Sequence, residues 1–131
     1  MKESDLQRIE HIADYCIDIK ETIERFGFDY DKFLADKDYF KSVSMSIMQI
    51  GELSSGLSNG FKESTRTKIQ WGLIKSMRNM FAHTYAKMDK EVIWEASTQD
   101  IPVLLDFCEE ILEQNLTDNQ DEEQNAGMAL N

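Results

Sequence analysis

Past the middle of the chain, the stretch MRNMFAHTY places Arg78, His83 and Tyr85 close together. Histidine titrates near neutral pH and can transfer protons, and the arginine fork matches phosphate oxygens. A proton-transferring histidine and an arginine that binds a pentavalent phosphate are the minimum set for metal-free RNA cleavage by the ribose 2′-hydroxyl. Arg78 and His83 are the candidate catalytic pair, although their spacing alone favours capping or surface roles.

The spacing of this pair constrains how it can work. Residues five apart on an α-helix lie about 140° apart around the axis, because the helix has 3.6 residues per turn. Arg78 and His83 of one chain would therefore not point at the same atom. Either the helix ends between them, or a second subunit completes the site in a two-fold dimer.

Three other polar residues have roles that the sequence leaves open. Tyr85 is either an interface or core tyrosine, or a phosphate contact whose phenol another enzyme could modify. Asn79 either hydrogen-bonds substrate or caps a turn. Glu52, beside Gly51 in a stretch of apolar and small residues, is either an acid that supports the site or an exposed helix position.

Composition describes one acidic domain of 131 residues with 41% hydrophobic residues and a net charge of −11. This charge argues against wholesale nucleic-acid binding, because phosphate attraction needs a positive surface, and no DNA partner is expected. Residues 61–90 differ, with seven basic residues against two acidic ones. They form either a local basic patch or a scatter around several helix faces.

The sequence predicts no metal site, no cofactor and no membrane span. The acids Glu10, Asp14 and Asp18 follow one another at helical spacing, and the pattern is typical of a solvated acidic face. No apolar run approaches the roughly 18 residues of a membrane span, and the N-terminus has no signal-peptide core. Cys16 and Cys108 lack metal-finger spacing, so we expect two buried thiols in a reducing cytoplasm.

Helical periodicity runs through most of the chain and predicts an all-α fold, an antiparallel four- to five-helix bundle. We expect close backbone packing at Gly51, inside the second helix. The first helix is predicted over about 5–26 with a Ser4–Gln7 capping box, and the second from Asp36 or Asp38 to Asn59 and Gly60. A third helix is predicted to begin between Ser64 and Trp71. Asp89 is expected to cap a short helix, and Pro102 to lie in the first turn of the last helix.

The C-terminal residues differ in character from the rest. From Thr117 the chain has four acidic residues, no Lys or Arg and few large apolar side chains. Such a segment cannot bury enough surface to offset its ordering entropy. The sequence therefore predicts a helical domain at 1–116 and an acidic, disordered tail at 117–131.

Four blocks of sequence together resemble one family. RNMFAHTY fits the pattern Arg-x4-His-x-Tyr, and SIMQIGELSSGLS is similar to the second helix of the HepT-like toxins of the HEPN superfamily. IQWGLIKSMRNMFAHTY resembles the Trp-led motif helix of that family, and VIWEASTQDIPVLLDF resembles its continuation. The likeness spans roughly residues 5–115, with the blocks in the same order.

The resemblance implies a bundle that forms a homodimer through the motif-bearing helices, with two Arg-x4-His motifs in one cleft. It implies a metal-independent endoribonuclease that acts on RNA as the toxin of a type II toxin–antitoxin pair. The implied antitoxin is a nucleotidyltransferase that neutralises the toxin by adding AMP to the motif tyrosine. Carried over, Arg78 and His83 would be catalytic, Asn79 supporting, and Tyr85 the residue that is modified.

Two other interpretations are consistent with the residues. In the first, the chain is a non-catalytic helical binding or regulatory protein, and Tyr85 matters only as the acceptor of a modification. In the second, it is a helical scaffold with an incidental motif. RNase activity separates the catalytic interpretation from both.

Overall fold

The computed structural model describes the backbone of residues 1–84 and 89–129 and the side chains of residues 1–81 and 89–119. Every regular element in these ranges is helical, which confirms the all-α class. One π-helical turn, Ala96–Asp100, precedes the last helix. The helices are α1 (Glu3–Arg25), α2 (Tyr30–Ala35), α3 (Lys37–Ser55), α4 (Asn59–Ser64), α5 (Trp71–Thr84), α6 (Lys90–Glu95) and α7 (Ile101–Ala129).

The core lies around α1, which packs against both α3 and α7, while α3 packs in turn against α5. The apolar stripe predicted for the first helix is buried in the structure, because its residues recur every three or four positions and face one direction. The buried stripe of α1 consists of Ile9, Ile12, Ala13, Cys16, Ile19 and Ile23. Because α3 contacts both α1 and α5, it positions α5, the helix that bears the Arg-x4-His motif, relative to the core.

Aspartate side chains begin several helices. The Asp36 carboxylate accepts hydrogen bonds from the backbone N–H groups of Asp38 and Tyr39 at the start of α3, and Asp89 caps α6 in the same way. These caps confirm Asp36 over Asp38, and they confirm Asp89. The predicted Ser4 capping box is wrong, because α1 begins at Glu3 and Ser4 lies inside the helix.

The segment after α3 differs from the sequence prediction. The second long helix was expected to extend to Asn59 and Gly60, whereas α3 ends at Ser55 and Asn59 begins the separate helix α4. The Ser58 hydroxyl accepts a hydrogen bond from the Phe61 N–H and caps this turn. The Ser58 cap therefore starts a new helix at the place where Asn59 and Gly60 were expected to end one.

The C-terminal segment is helical in the structure, where the sequence predicts disorder. α7 continues without interruption to Ala129, and residues 116–119 are exposed. Between Pro102 and Gly127 the chain contains no proline and no glycine. No residue with a strong helix-breaking tendency therefore interrupts α7 between these two positions. The boundary between a domain at 1–116 and a tail at 117–131 stays a prediction.

The two cysteines are buried free thiols, as the sequence predicts. Burial raises the pKa of both thiols, that of Cys108 to about 12. Thiols with such raised pKa values are protonated near neutral pH and unreactive. Within the described part of the chain, no helix combines the length and apolarity needed to cross a membrane.

A buried carboxylate joins the first helix to α4. Asp5 is 2% exposed, and it accepts hydrogen bonds from the Ser58 N–H at 2.8 Å and the Ser58 hydroxyl at 2.6 Å. Burial alone would raise the pKa of Asp5, but the two bonds from Ser58 and the charges of Lys2 and Arg8 outweigh it. The pKa of this carboxyl therefore lies below its ordinary 3.8.

We expect Asp5→Asn to lower the free energy of unfolding at pH 7 by about 2 kcal/mol, because a charged acceptor of two hydrogen bonds is lost. The lowered pKa means that the ionised Asp5 stabilises the folded state above pH 3.8, and that this contribution is lost as the pH falls through the folded-state pKa. The difference from wild type should therefore shrink in acid. Urea unfolding of wild type and Asp5→Asn, at pH 7 and again in acid, measures this difference in the free energy of unfolding. The control is Asp14→Asn, a substitution at an exposed acid of α1.

Candidate active site

The motif lies on α5, whose rotation is set by large side chains at its buried face. Trp71 begins the helix, is 8% exposed, and donates its indole N–H to the Thr65 hydroxyl at 3.0 Å. Its ring packs against Phe61 and Phe107. Three turns later Phe81 is 4% exposed. With both ends of the face buried, α5 presents a defined opposite face to solvent.

Arg78 of α5 packs closely against Gly51 of α3. A Cβ built on Gly51 would lie 2.6 Å from the Cβ of Arg78, a distance that real Cβ atoms essentially never show. The obstruction is the root of the Arg78 side chain, so rotation of the guanidinium could not relieve it. This confirms the predicted close packing at Gly51 and identifies its partner, which the sequence did not.

The guanidinium of Arg78 is paired with the carboxylate next in sequence to that glycine. Arg78 Nε donates to Glu52 Oε1 at 2.6 Å, and Nη2 donates to Oε2 at 3.4 Å. The Arg78 side chain is 32% exposed and that of Glu52 51%. Glu52 is thus an exposed helix residue that also supports the candidate site, and the sequence offered these two interpretations as alternatives.

The helix is continuous from Trp71 to Thr84, so it does not end between Arg78 and His83. The two positions therefore lie about 140° apart around the axis of α5. The His83 side chain and the whole of Tyr85 lie outside the described residues. A helix end between the two residues therefore does not explain the spacing, and completion of the site by a second subunit stays a prediction.

Asn79 lies inside α5 and is exposed. It does not cap a turn, because the helix continues for five residues beyond it. On a helical projection Lys75 and Asn79 fall between the positions of Arg78 and His83. Two exposed polar residues of α5, Lys75 and Asn79, therefore lie between these two positions.

The described basic residues of the stretch at 61–90 do not form one continuous patch. Arg66 pairs with Glu63, and Lys68 pairs with Glu110 at 3.3 Å, so carboxylates offset part of this charge. Lys90 donates to the Leu34 carbonyl on another face. The residue beside Arg78 that adds positive charge is Lys75, three positions earlier on α5.

One cavity among the described residues lies away from Arg78. It has a volume of about 250 Å³, lies between α3, α5 and α7, and is lined largely by apolar side chains, among them Ile50, Ile74 and Leu104. Among the described side chains, no three of His, Cys, Asp and Glu cluster in a way that could hold a metal ion. The candidate active site is therefore an open helix face around Arg78.

An all-helical domain whose motif helix carries Arg-x4-His defines the HEPN class of proteins. The family model described as "Ribonuclease HepT-like" matches residues 7–111, and the chain belongs to this family. A "Probable ribonuclease HepT" of Thermococcus cleftensis is 33% identical over 106 residues, which cover 79% of this chain and 92% of that protein. A "Putative RNase" of Caldanaerobacter subterraneus subsp. tengcongensis is 30% identical over 105 residues, 80% and 91% of the two chains. No solved structure matches.

Proposed function

We propose that this protein is a metal-independent endoribonuclease with Arg78 and His83 as its catalytic pair. The ribose 2′-oxygen attacks the adjacent phosphorus, the bond to the 5′-oxygen breaks, and a 2′,3′-cyclic phosphate and a free 5′-hydroxyl result. His83 transfers a proton in this exchange, and Arg78 stabilises the charge on the pentavalent phosphate. The observation that carries the proposal is the anchored, partly exposed guanidinium of Arg78 on the Arg-x4-His helix of a HepT-like chain.

We further propose that two copies pair through their α5 helices, so that Arg78 of one copy and His83 of its partner meet at one phosphate. Their separation of about 140° within one chain supports this arrangement. Gly72 and Ser76 are small and exposed on α5, and a Cβ on Gly72 would contact nothing within 4 Å. Leu73 beside them is 61% exposed. Small residues beside an exposed leucine allow another helix to approach closely.

Membership of the HepT-like family supports a biological role as well. We propose that the protein is the toxin of a type II toxin–antitoxin pair in the cytoplasm, restrained by a nucleotidyltransferase antitoxin that adds AMP to Tyr85. A bulky adenylate two residues from His83 would block RNA phosphates sterically and by like-charge repulsion. Asn79, exposed on the same helix, is available to hydrogen-bond the RNA.

Cleavage of RNA by purified protein in EDTA tests the catalytic proposal. We expect fragments with 2′,3′-cyclic phosphate ends, and the same rate when Mg²⁺ replaces EDTA. Intact mass must first establish that Tyr85 carries no adenylate. Unmodified protein that leaves several different RNAs intact would contradict the proposal.

Co-expression with the proposed nucleotidyltransferase antitoxin should raise the intact mass by about 329 Da for each AMP added. The Tyr85→Phe variant should show no such gain, because it lacks the acceptor hydroxyl. Tyr15→Phe, at a half-buried tyrosine of α1, is the matched control and should gain the full mass. An equal gain in Tyr85→Phe would place the modification elsewhere.

One feature favours a non-catalytic binding protein as the second candidate. The net charge is −11, and carboxylates pair with Arg66, Lys68 and Arg78. Such a surface attracts RNA weakly. Modification of Tyr85 without any RNase activity of the unmodified protein would favour this candidate.

A further inference from the structure

The way in which Arg78 is held leaves a defined part of its guanidinium available. An arginine has five N–H donors. The Nε–H and one N–H of Nη2 bind the two oxygens of Glu52. Within the described residues, the opposite edge, formed by Nη1 and the second N–H of Nη2, has no hydrogen-bond partner. This edge has the geometry that binds two phosphate oxygens side by side.

The pair contributes little to the stability of the fold. Ion pairs between half-exposed side chains are typically worth at most about 1 kcal/mol. A carboxylate beside a phosphate site also repels the phosphate, so Glu52 does not serve to increase RNA affinity. What the carboxylate does provide is a single orientation of the guanidinium plane, because two hydrogen bonds fix both its direction and its rotation.

We propose that Glu52 is the positioning residue for Arg78, holding the Nη1–Nη2 edge toward the scissile phosphate. Gly51 contributes to the same positioning. Because glycine has no side chain beyond a hydrogen, α3 can approach the Arg78 Cβ closely enough for Glu52 to reach Nε. The inference rests on the proposed ribonuclease function and adds a residue from a second helix to its site. Glu52 acts through Arg78 and does not touch RNA.

Glu52→Ala should lower kcat for RNA cleavage by about 10- to 100-fold, since a misplaced catalytic group costs about that much. KM should stay the same or fall, because a negative charge near the phosphate is removed. Glu52→Gln should recover part of the loss, as its amide oxygen still accepts from Nε. The thermal midpoint should shift by less than about 5 °C.

A matched control is available in the Lys68–Glu110 pair. Glu110 is 50% exposed and pairs across elements at 3.3 Å, but it does not contact Arg78. Glu110→Ala should therefore keep the wild-type kcat. For the glycine, Gly51→Ala should lower kcat, whereas Gly60→Ala in α4, whose added Cβ meets nothing within 4 Å, should keep the wild-type kcat.

An Arg78→Lys background distinguishes positioning from a structural effect. A lysine ammonium is a point charge that cannot hold a carboxylate and a phosphate on separate edges, so Glu52 should capture it. Glu52→Ala should then raise kcat by about 3- to 10-fold in the Arg78→Lys protein, the reverse of its effect in wild type. Opposite signs in the two backgrounds would support the proposal.

A Glu52→Ala variant with wild-type kcat would overturn the positioning role while the ribonuclease function stands. A decrease in both backgrounds would also overturn it, since Glu52 would then act on the fold. Wild-type protein without RNase activity would end both the proposed function and this inference, and it is recognised before any variant is measured.

Discussion

Replacing His83 by alanine should lower kcat for RNA cleavage by about 10²- to 10⁴-fold, the usual contribution of a general acid–base group. Histidine is the side chain that titrates near neutral pH, so the imidazole of the motif can exchange protons with the 2′-hydroxyl and the 5′-oxygen. Gel analysis of a labelled RNA under single-turnover conditions in EDTA measures the rate. Size-exclusion chromatography with light scattering measures the oligomeric state, which should match that of the wild type.

The chain provides its own control for this experiment. His11 is the other of the two histidines in the chain, and it lies exposed on α1, away from the motif. His11→Ala should cleave RNA at the wild-type rate. Undiminished cleavage by folded His83→Ala would count against a catalytic role for this histidine or reveal a contaminating nuclease, and equal losses in both variants would indicate a general effect on the fold.

The second large effect concerns a mixed dimer that joins an Arg78→Ala chain to a His83→Ala chain. Each homodimer should be inactive. If Arg78 of one copy works with His83 of the other, the mixed dimer has one intact site and one site without either residue, and should show about half the wild-type activity. If both residues of a site came from one chain, the mixed dimer would have no intact site.

Two affinity tags on the co-expressed chains allow the mixed dimer to be purified for this measurement. The control is a dimer of wild-type and doubly substituted chains. It has no complete site under the shared arrangement and one complete site when each chain serves itself. Activity in that control but not in the mixed dimer would reject the shared cleft, although His83 could still be catalytic.

Much of the helical architecture was predictable because it depends on residues that lie close together in the sequence. Apolar residues three and four apart gave the buried stripe of α1, and single aspartates at positions 36 and 89 marked helix starts. Gly51 predicted a close helix contact. The errors were local too. Asn59 and Gly60 were interpreted as a stop, although Ser58 starts a new helix there.

The site was predictable only in part. Arg78 and His83 were recognisable from residue chemistry and from four blocks typical of one family, whereas the role of Glu52 stayed open. Its partner lies 26 residues away along the chain, on another helix. No periodicity within α3 distinguishes a carboxylate that faces Arg78 from one that faces water.

The sequence by itself determined the all-α class, the long helices, the caps at Asp36 and Asp89 and the Arg-x4-His motif, because these depend on interactions among neighbours in the chain. Only the tertiary structure decided that Gly51 and Glu52 meet Arg78, and that Asp5 reaches Ser58 across 53 residues. The register and rotation of one helix against another result from the packing of many side chains at once. A single segment therefore does not contain that information.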